Sequence, residues 1–388
     1  MPDLDMRQAR FMAGLELNLL LNGEALPASQ FERARLGAET APVYDLNGEL
    51  LYNRVTLFKG RQRAGVADLS VNPALGAVLL SVSLGEEWNP KTILAEAARQ
   101  AAELKKDLKY DTVRLVAFSQ PKLAAQFLLK GEEQLMLELY SWRPVPPAPP
   151  LRRGRMEAEP FERWSFLEEL PSQEKKRGAE LFEQSVSVLQ KALKKPSLRG
   201  MEPLRLMTQP VVQGLAQKAD QRVIGYAPTA PNHTPCYEVR GQMTSLWCVA
   251  ASMEMLLTFY RYSYDQPAIA KAMGMGTLKK PSGMLLSNCA DVSAQLQALT
   301  KQALKVDTLH NPAPDWSFYV AEIKANRPLL SIIPGHARTV AGYYDAAMQG
   351  SQTRMLQVYD PWPPNQGAVK WENFDATTYR VAYRARLQ

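Results

Sequence analysis

Cysteine and histidine are scarce in this chain of 388 residues, which holds three of each. Any thiol or imidazole chemistry must draw on Cys236, Cys248, Cys289, His233, His310 and His336. An odd number of cysteines in a long chain argues for free thiols in a reducing compartment, not a disulfide scaffold. The six residues never reach zinc-ligand spacing such as Cys-x2-Cys, so no structural metal is expected. Long apolar runs are lacking too. Nothing approaches the roughly 20 apolar residues of a membrane span. The stretch Phe11 to Leu21 is interrupted by Glu16 and Asn18 and preceded by acids. A secretory signal needs a basic start and a clean apolar core. The expected location is the cytoplasm of the producing cell, with signal-independent export as the alternative. No P-loop and no Gly-rich phosphate cradle follows any strand, so no nucleotide cofactor is expected.

A one-sided charge is also missing. The net charge is +7, but residues 1–150 hold 17 basic and 18 acidic groups, residues 151–235 hold 14 and 10, and residues 236–388 hold 15 and 11. The densest basic runs, Arg152–Arg155 and Lys191–Lys195, are interleaved with glutamates. They read as solvated faces and not as a nucleic-acid footprint, which needs basic residues clustered on one face. What remains is an ordinary globular composition, 46% apolar and 22% charged, on a chain long enough for two to three domains at roughly 100–200 residues each.

Five prolines between Pro144 and Pro150 mark the clearest break. Such a run cannot form a helix and reads as an extended spacer. Before it, 1–143 reads as an α+β domain. Glu49–Lys59, Ala77–Leu84, Thr112–Phe118 and Gln134–Trp142 have strand character, and Pro90–Lys109 has helical apolar spacing behind Asn89 as an N-cap. This part contains no Cys and no His. It recruits substrate, inhibits as a prodomain or docks a partner. Residues 144–224 read as the spacer and a helical connector, with helices at Phe161–Leu170 and Gln173–Lys195 stopped by Pro196. Exposure of this boundary suggests self-cleavage between the two parts.

Residues 225–388 hold the chemistry. In Gly241-Gln242-Met-Thr-Ser-Leu-Trp247-Cys248, a buried-helix pattern follows the cysteine, with apolar residues at 249, 250, 253, 256, 257 and 260. Thr244 and Ser245 are suitable N-caps. Cys248 therefore falls in the first helical turn, where unpaired N–H groups and the positive dipole end stabilise a thiolate. A buried structural cysteine is the competing reading. His336 follows the apolar run Leu329–Ile333 and a Pro-Gly turn, at the start of a second strand. Asp360 ends the apolar strand Met355–Tyr359 just before Pro361. A cysteine nucleophile needs a base, an acceptor that fixes the base's tautomer, and donors for the oxyanion. Cys248, His336 and Asp360 fill the first three roles. Gln242, six residues before the cysteine, joins the Cys248 N–H as an oxyanion donor. Cys289 opens another helix and is the runner-up thiol, without an amide placed like Gln242.

With those residues in that order, 225–388 resembles a papain-like cysteine peptidase. It is most similar to the compact bacterial branch that includes double-glycine leader peptidases and effector cysteine proteases of plant pathogens. In that family a Gln lies six positions before a Cys that opens a buried helix, and His then Asn or Asp follow on a later sheet. The step Asp360-Pro-Trp362 resembles the Asn-x-Trp of papain, which implies that Trp362 shields the His–Asp hydrogen bond. Trp247 precedes the nucleophile, whereas the plant and lysosomal pattern places a Trp after it; it is an expected shielding or cleft residue. The resemblance implies an α+β peptidase fold, a nucleophile helix packed on an antiparallel sheet that carries His336 and Asp360. It implies hydrolysis of peptide bonds in a protein or peptide substrate, without a cofactor and without a fused transporter. Transamidation or isopeptide cleavage would use the same residues, and a non-catalytic peptide-binding scaffold is the reading from another class.

Overall fold

The structure is a computed structural model. It describes residues 4–146 except 87 and 120, residues 163–198, residues 202–224 except 210, 211, 213 and 216, and residues 237–388 except 285–287, 311 and 349–350. Most of the proline run, together with His233 and Cys236, lies outside the described residues.

Among the described residues fourteen strands form the sheet. They are β1 (Arg35–Tyr44), β2 (Leu50–Lys59), β3 (Gln62–Leu69), β4 (Leu79–Leu84), β5 (Thr112–Ser119), β6 (Lys122–Leu129), β7 (Glu132–Glu138), β8 (Gln217–Val223), β9 (Leu304–Leu309), β10 (Leu329–Ile333), β11 (His336–Met348), β12 (Ser351–Asp360), β13 (Ala368–Asn373) and β14 (Val381–Leu387). Their order is β7-β6-β5-β1-β2-β3-β4-β13-β12-β11-β10-β14-β9, with β8 added on β11. Among the described residues the β1–β5 contact is parallel and the other pairings are antiparallel.

The sequence reading treats 1–143 and 225–388 as separate units. Their strands nevertheless run edge to edge, because β4 pairs with β13 over Val369↔Leu84 to Glu372↔Ser81. An open strand edge is a row of unpaired N–H and C=O groups, and pairing the two edges satisfies both. The helix Met6–Asn22 packs across this junction. Its leucines share one core with Val82 of β4, Met355 of β12 and Trp371 of β13. Trp371 donates its indole N–H to Ala25 O at 2.9 Å, and Tyr344 donates to Leu19 O at 3.2 Å.

Local chemistry sets several element ends. The helix expected over Pro90–Lys109 begins at Pro90 but ends at Leu104. Its buried face consists of Ala97 and Ala101, and Leu104 is already exposed. The charged residues after it offer nothing to bury. The strand expected over Gln134–Trp142 stops at Glu138, whose carboxylate accepts the N–H groups of Tyr140 and Ser141 at 2.9 and 2.6 Å and folds the chain into a turn. In the connector, the first helix is a single turn, Phe166–Glu169, capped by Ser165 and ended before Pro171. The second runs Ser172–Leu193. Among the described residues no helix is long and apolar enough to cross a membrane.

Candidate functional site

The helix that Cys248 opens spans Cys248–Phe259. It is apolar on nearly every face, and Val249 to Met253, Met255 to Leu257 and Phe259 are all buried, so packing holds it in place. Trp247, not Thr244 or Ser245, occupies the N-cap, and no side chain caps the first turn. Thr244 instead accepts the Leu246 N–H at 3.3 Å. The uncapped N–H groups at the first turn leave the positive helix end facing Cys248, where it favours a thiolate. The thiol is free and part-exposed. Trp247 is 1% exposed, lies in the core and donates its indole N–H to Met275 O at 2.9 Å. It therefore forms no wall of a cleft, contrary to the sequence expectation.

Strands β10, β11 and β12 carry the other groups. The hairpin register pairs Ile333 with His336 across Pro334-Gly335, and Thr339 pairs with Tyr359. Antiparallel neighbours place the start of β11 beside the end of β12. His336 and Asp360 meet there, with Nε2 2.7 Å from Oδ1 and both side chains essentially without solvent exposure. The same Oδ1 accepts the Trp362 N–H at 2.9 Å. With Nε2 committed to Asp360, the ring atom left over is Nδ1, which is buried without a hydrogen-bond partner of good geometry. The Cys248 thiol lies against this imidazole, and the two groups shift each other's titration.

The charges form a chain. Burial pushes the Asp360 carboxyl up, but Lys370 and His336 outweigh it and hold Asp360 far below the usual carboxylate range. Burial pushes the His336 imidazole down, yet Asp360 and then Cys248 raise it above its ordinary value. Loss of water pushes the Cys248 thiol up, while His336, Lys122 and the Ala337 N–H bring it below its ordinary value. The net directions, thiol down and imidazole up, favour a thiolate–imidazolium pair.

Gln242 is buried. Its Nε2 donates to Thr244 O at 2.7 Å, which leaves a second amide hydrogen. Its backbone is tied at both ends to the turn after Asp360: Gln242 N–H donates to Pro361 O at 2.9 Å, and Asn365 N–H donates to Gln242 O at 2.8 Å. The loops that carry Gln242 and Asp360 thus brace each other. This close approach explains Gly241, where a Cβ would stand 2.3 Å from Gln366 N.

Trp362 is 3% exposed, and its ring stands edge-on to Tyr140 at 6.0 Å. Cys289 opens the helix Cys289–Leu299, and its side chain lies outside the described residues. His310 follows β9 and is exposed. Sequence reading missed Lys370 and Lys122. Lys370 carried a weak signal, a lysine two residues before Glu372 in an otherwise strand-like run. Lys122 carried none, because it comes from a hairpin more than 120 residues from the nucleophile.

No curated protein matches the chain. Residues 235–387 match the family model described as Peptidase_C39 like family, a stretch that includes all four candidate residues. The C-terminal segment is thus similar to papain-like cysteine peptidases of the C39 type.

Proposed function

We propose that this chain is a cysteine peptidase that hydrolyses peptide bonds through Cys248, His336 and Asp360, with Gln242 in the oxyanion hole. The observation that carries the reading is the buried His336 Nε2–Asp360 Oδ1 hydrogen bond of 2.7 Å, which commits one ring nitrogen and leaves Nδ1 for the thiol. Such an arrangement fixes the tautomer and stabilises imidazolium.

The Cys248 thiolate attacks the scissile carbonyl. The Cys248 N–H at the helix start and the free amide hydrogen of Gln242 receive the developing oxyanion. His336 protonates the leaving amine from Nδ1, which completes the acyl-enzyme. It then takes a proton from water, whose oxygen attacks the thioester and regenerates the thiol. Asp360 stays ionised throughout and holds the ring.

Cys248→Ala and wild type are compared on a peptide library, with a thiol-directed activity probe as a second readout. The expected result is turnover and probe labelling in wild type and neither in the variant. Equal cleavage by both proteins would overturn the assignment.

A further inference from the structure

Lys122 opens β6, in the part of the chain outside the family match. It is 5% exposed. Its ammonium lies 3.4 Å from the carbonyl of Gly335, the residue directly before His336. It also stands 5.5 Å from the centre of the Trp362 ring, which follows Asp360 by two residues. Ser119, at the end of β5, completes the contact. A Cβ on Gly335 would fall 2.4 Å from the Ser119 hydroxyl, so the β5–β6 hairpin closes directly on the β10–β11 turn. Gly335 also has φ +69°, a conformation that side-chain-bearing residues rarely adopt.

We propose that the N-terminal segment is an integral part of the peptidase site, and that Lys122 is a positioning residue. It holds the turn that presents His336 and supplies a fixed positive charge to the Cys248 thiolate. This rests on the reading of Cys248 and His336 given above.

Burying an ammonium is costly, and an amphipathic stem does not require it. Here the head group is spent on one carbonyl, one aromatic face and the field of the site. The groups that bear on it are Glu138 from β7 and Cys248 from the nucleophile helix. His336 from β11 acts on the same thiol. Burial pushes the Glu138 carboxyl up, and its oxygens already accept two backbone N–H groups. The Lys122 charge bears on both the Glu138 carboxyl and the Cys248 thiol, and lowers each. A removable inhibitory segment would cover the site without completing it. Here the segment instead contributes a charge on the thiolate's side of the balance.

The test is the pH dependence of Cys248 alkylation by iodoacetamide in the full-length protein. Wild type, Lys122→Met, Lys122→Arg and His336→Ala are compared. Lys122→Met is expected to move the thiol titration to higher pH by about half a unit or more, with Lys122→Arg close to wild type. A merely structural lysine would lower stability without moving this titration. If His336→Ala shifts the titration and Lys122→Met leaves it unchanged, the proposal for Lys122 is overturned and the peptidase reading stands. If His336→Ala leaves it unchanged, the peptidase reading itself fails. Should Lys122→Met not fold, Lys122→Gln reads the same quantity, and a titration there superimposable on wild type overturns the proposal.

Discussion

Lys370 places its ammonium 2.5 Å from Oδ2 of Asp360, while Oδ1 of the same carboxylate accepts from His336. Lys370 sits on β13, two residues beyond the Ala368 that pairs with Asp360, so the ion pair is a diagonal cross-strand contact. Asp360 thus carries two cationic partners on its two oxygens, and together they keep it ionised.

The first prediction follows from that pair. A carboxyl with a depressed folded pKa contributes stability above its unfolded pKa and loses it as pH falls through the folded value. Asp360 therefore supports the fold well into acid. Lys370→Met raises the folded pKa of Asp360 and leaves a buried charge with one partner fewer, at a cost of about 3–5 kcal/mol. Near-ultraviolet circular dichroism against pH should show acid unfolding starting at higher pH in the variant. Coincident acid transitions would rule out this role.

Activity should follow a bell in pH. Cys248 titrates below its ordinary 9.0 and His336 above its ordinary 6.5. The acid limb rises as the thiol loses its proton, and the alkaline limb falls as His336 loses its own. Asp360→Asn removes the charge that raises His336, so the alkaline limb should move to lower pH. The measurement is kcat/KM on a cleaved peptide from about pH 4 to 10. An alkaline limb that stays in place in Asp360→Asn would break the link between these two residues.

Gln242→Ala removes one oxyanion donor and is expected to lower kcat by about 10²–10³, or about 2.7–4 kcal/mol. Uniform ground-state binding would instead appear in KM. Gln242 is also buried, so its thermal midpoint must be recorded alongside. A kcat within a few-fold of wild type in a folded variant would remove Gln242 from the mechanism.

Glu16 gives a prediction about the junction. It is 3% exposed among leucines of the N-terminal helix, and Leu79 donates its N–H to Oε2 at 3.2 Å. Burial pushes its carboxyl up to about 8. Between its ordinary 4.5 and about 8 the unfolded chain releases a proton that the folded chain keeps, so stability falls as pH rises. At about 1.4 kcal/mol per unit this reaches several kcal/mol. Glu16→Gln keeps the acceptor without the charge. It should match wild type near pH 4 and melt clearly higher near pH 8. An equal difference at both pH values would show that ionisation is not the cause.

Legibility in the sequence followed the range of the forces involved. The helix from Cys248 and strands β10 and β12 were readable because their apolar spacing and breakers are local. So was the order Gln242, Cys248, His336, Asp360. Strands β1, β3 and β6 gave weaker patterns. They are paired on both sides, and β3 and β6 carry polar residues whose partners lie on other strands, such as Asp68 with Arg54 and Gln126 with Arg114. Trp247 shows the reverse error: beside the nucleophile in sequence, it points into the core, because its indole finds the Met275 carbonyl there.

The amino-acid sequence by itself determined the candidate types: one cysteine at a helix start, one histidine and one aspartate at strand ends, and an amide six residues before the cysteine. Their spacing needs only local hydrogen bonds and apolar periodicity. Tertiary structure alone decided what surrounds them. Lys370 reaches Asp360 through strand register, and Lys122 reaches the His336 turn because β4 pairs with β13 and brings the β5–β6 hairpin to the site. Charges act through space over several ångströms, and proximity in space between residues 122 and 336 has no counterpart in the spacing of the chain.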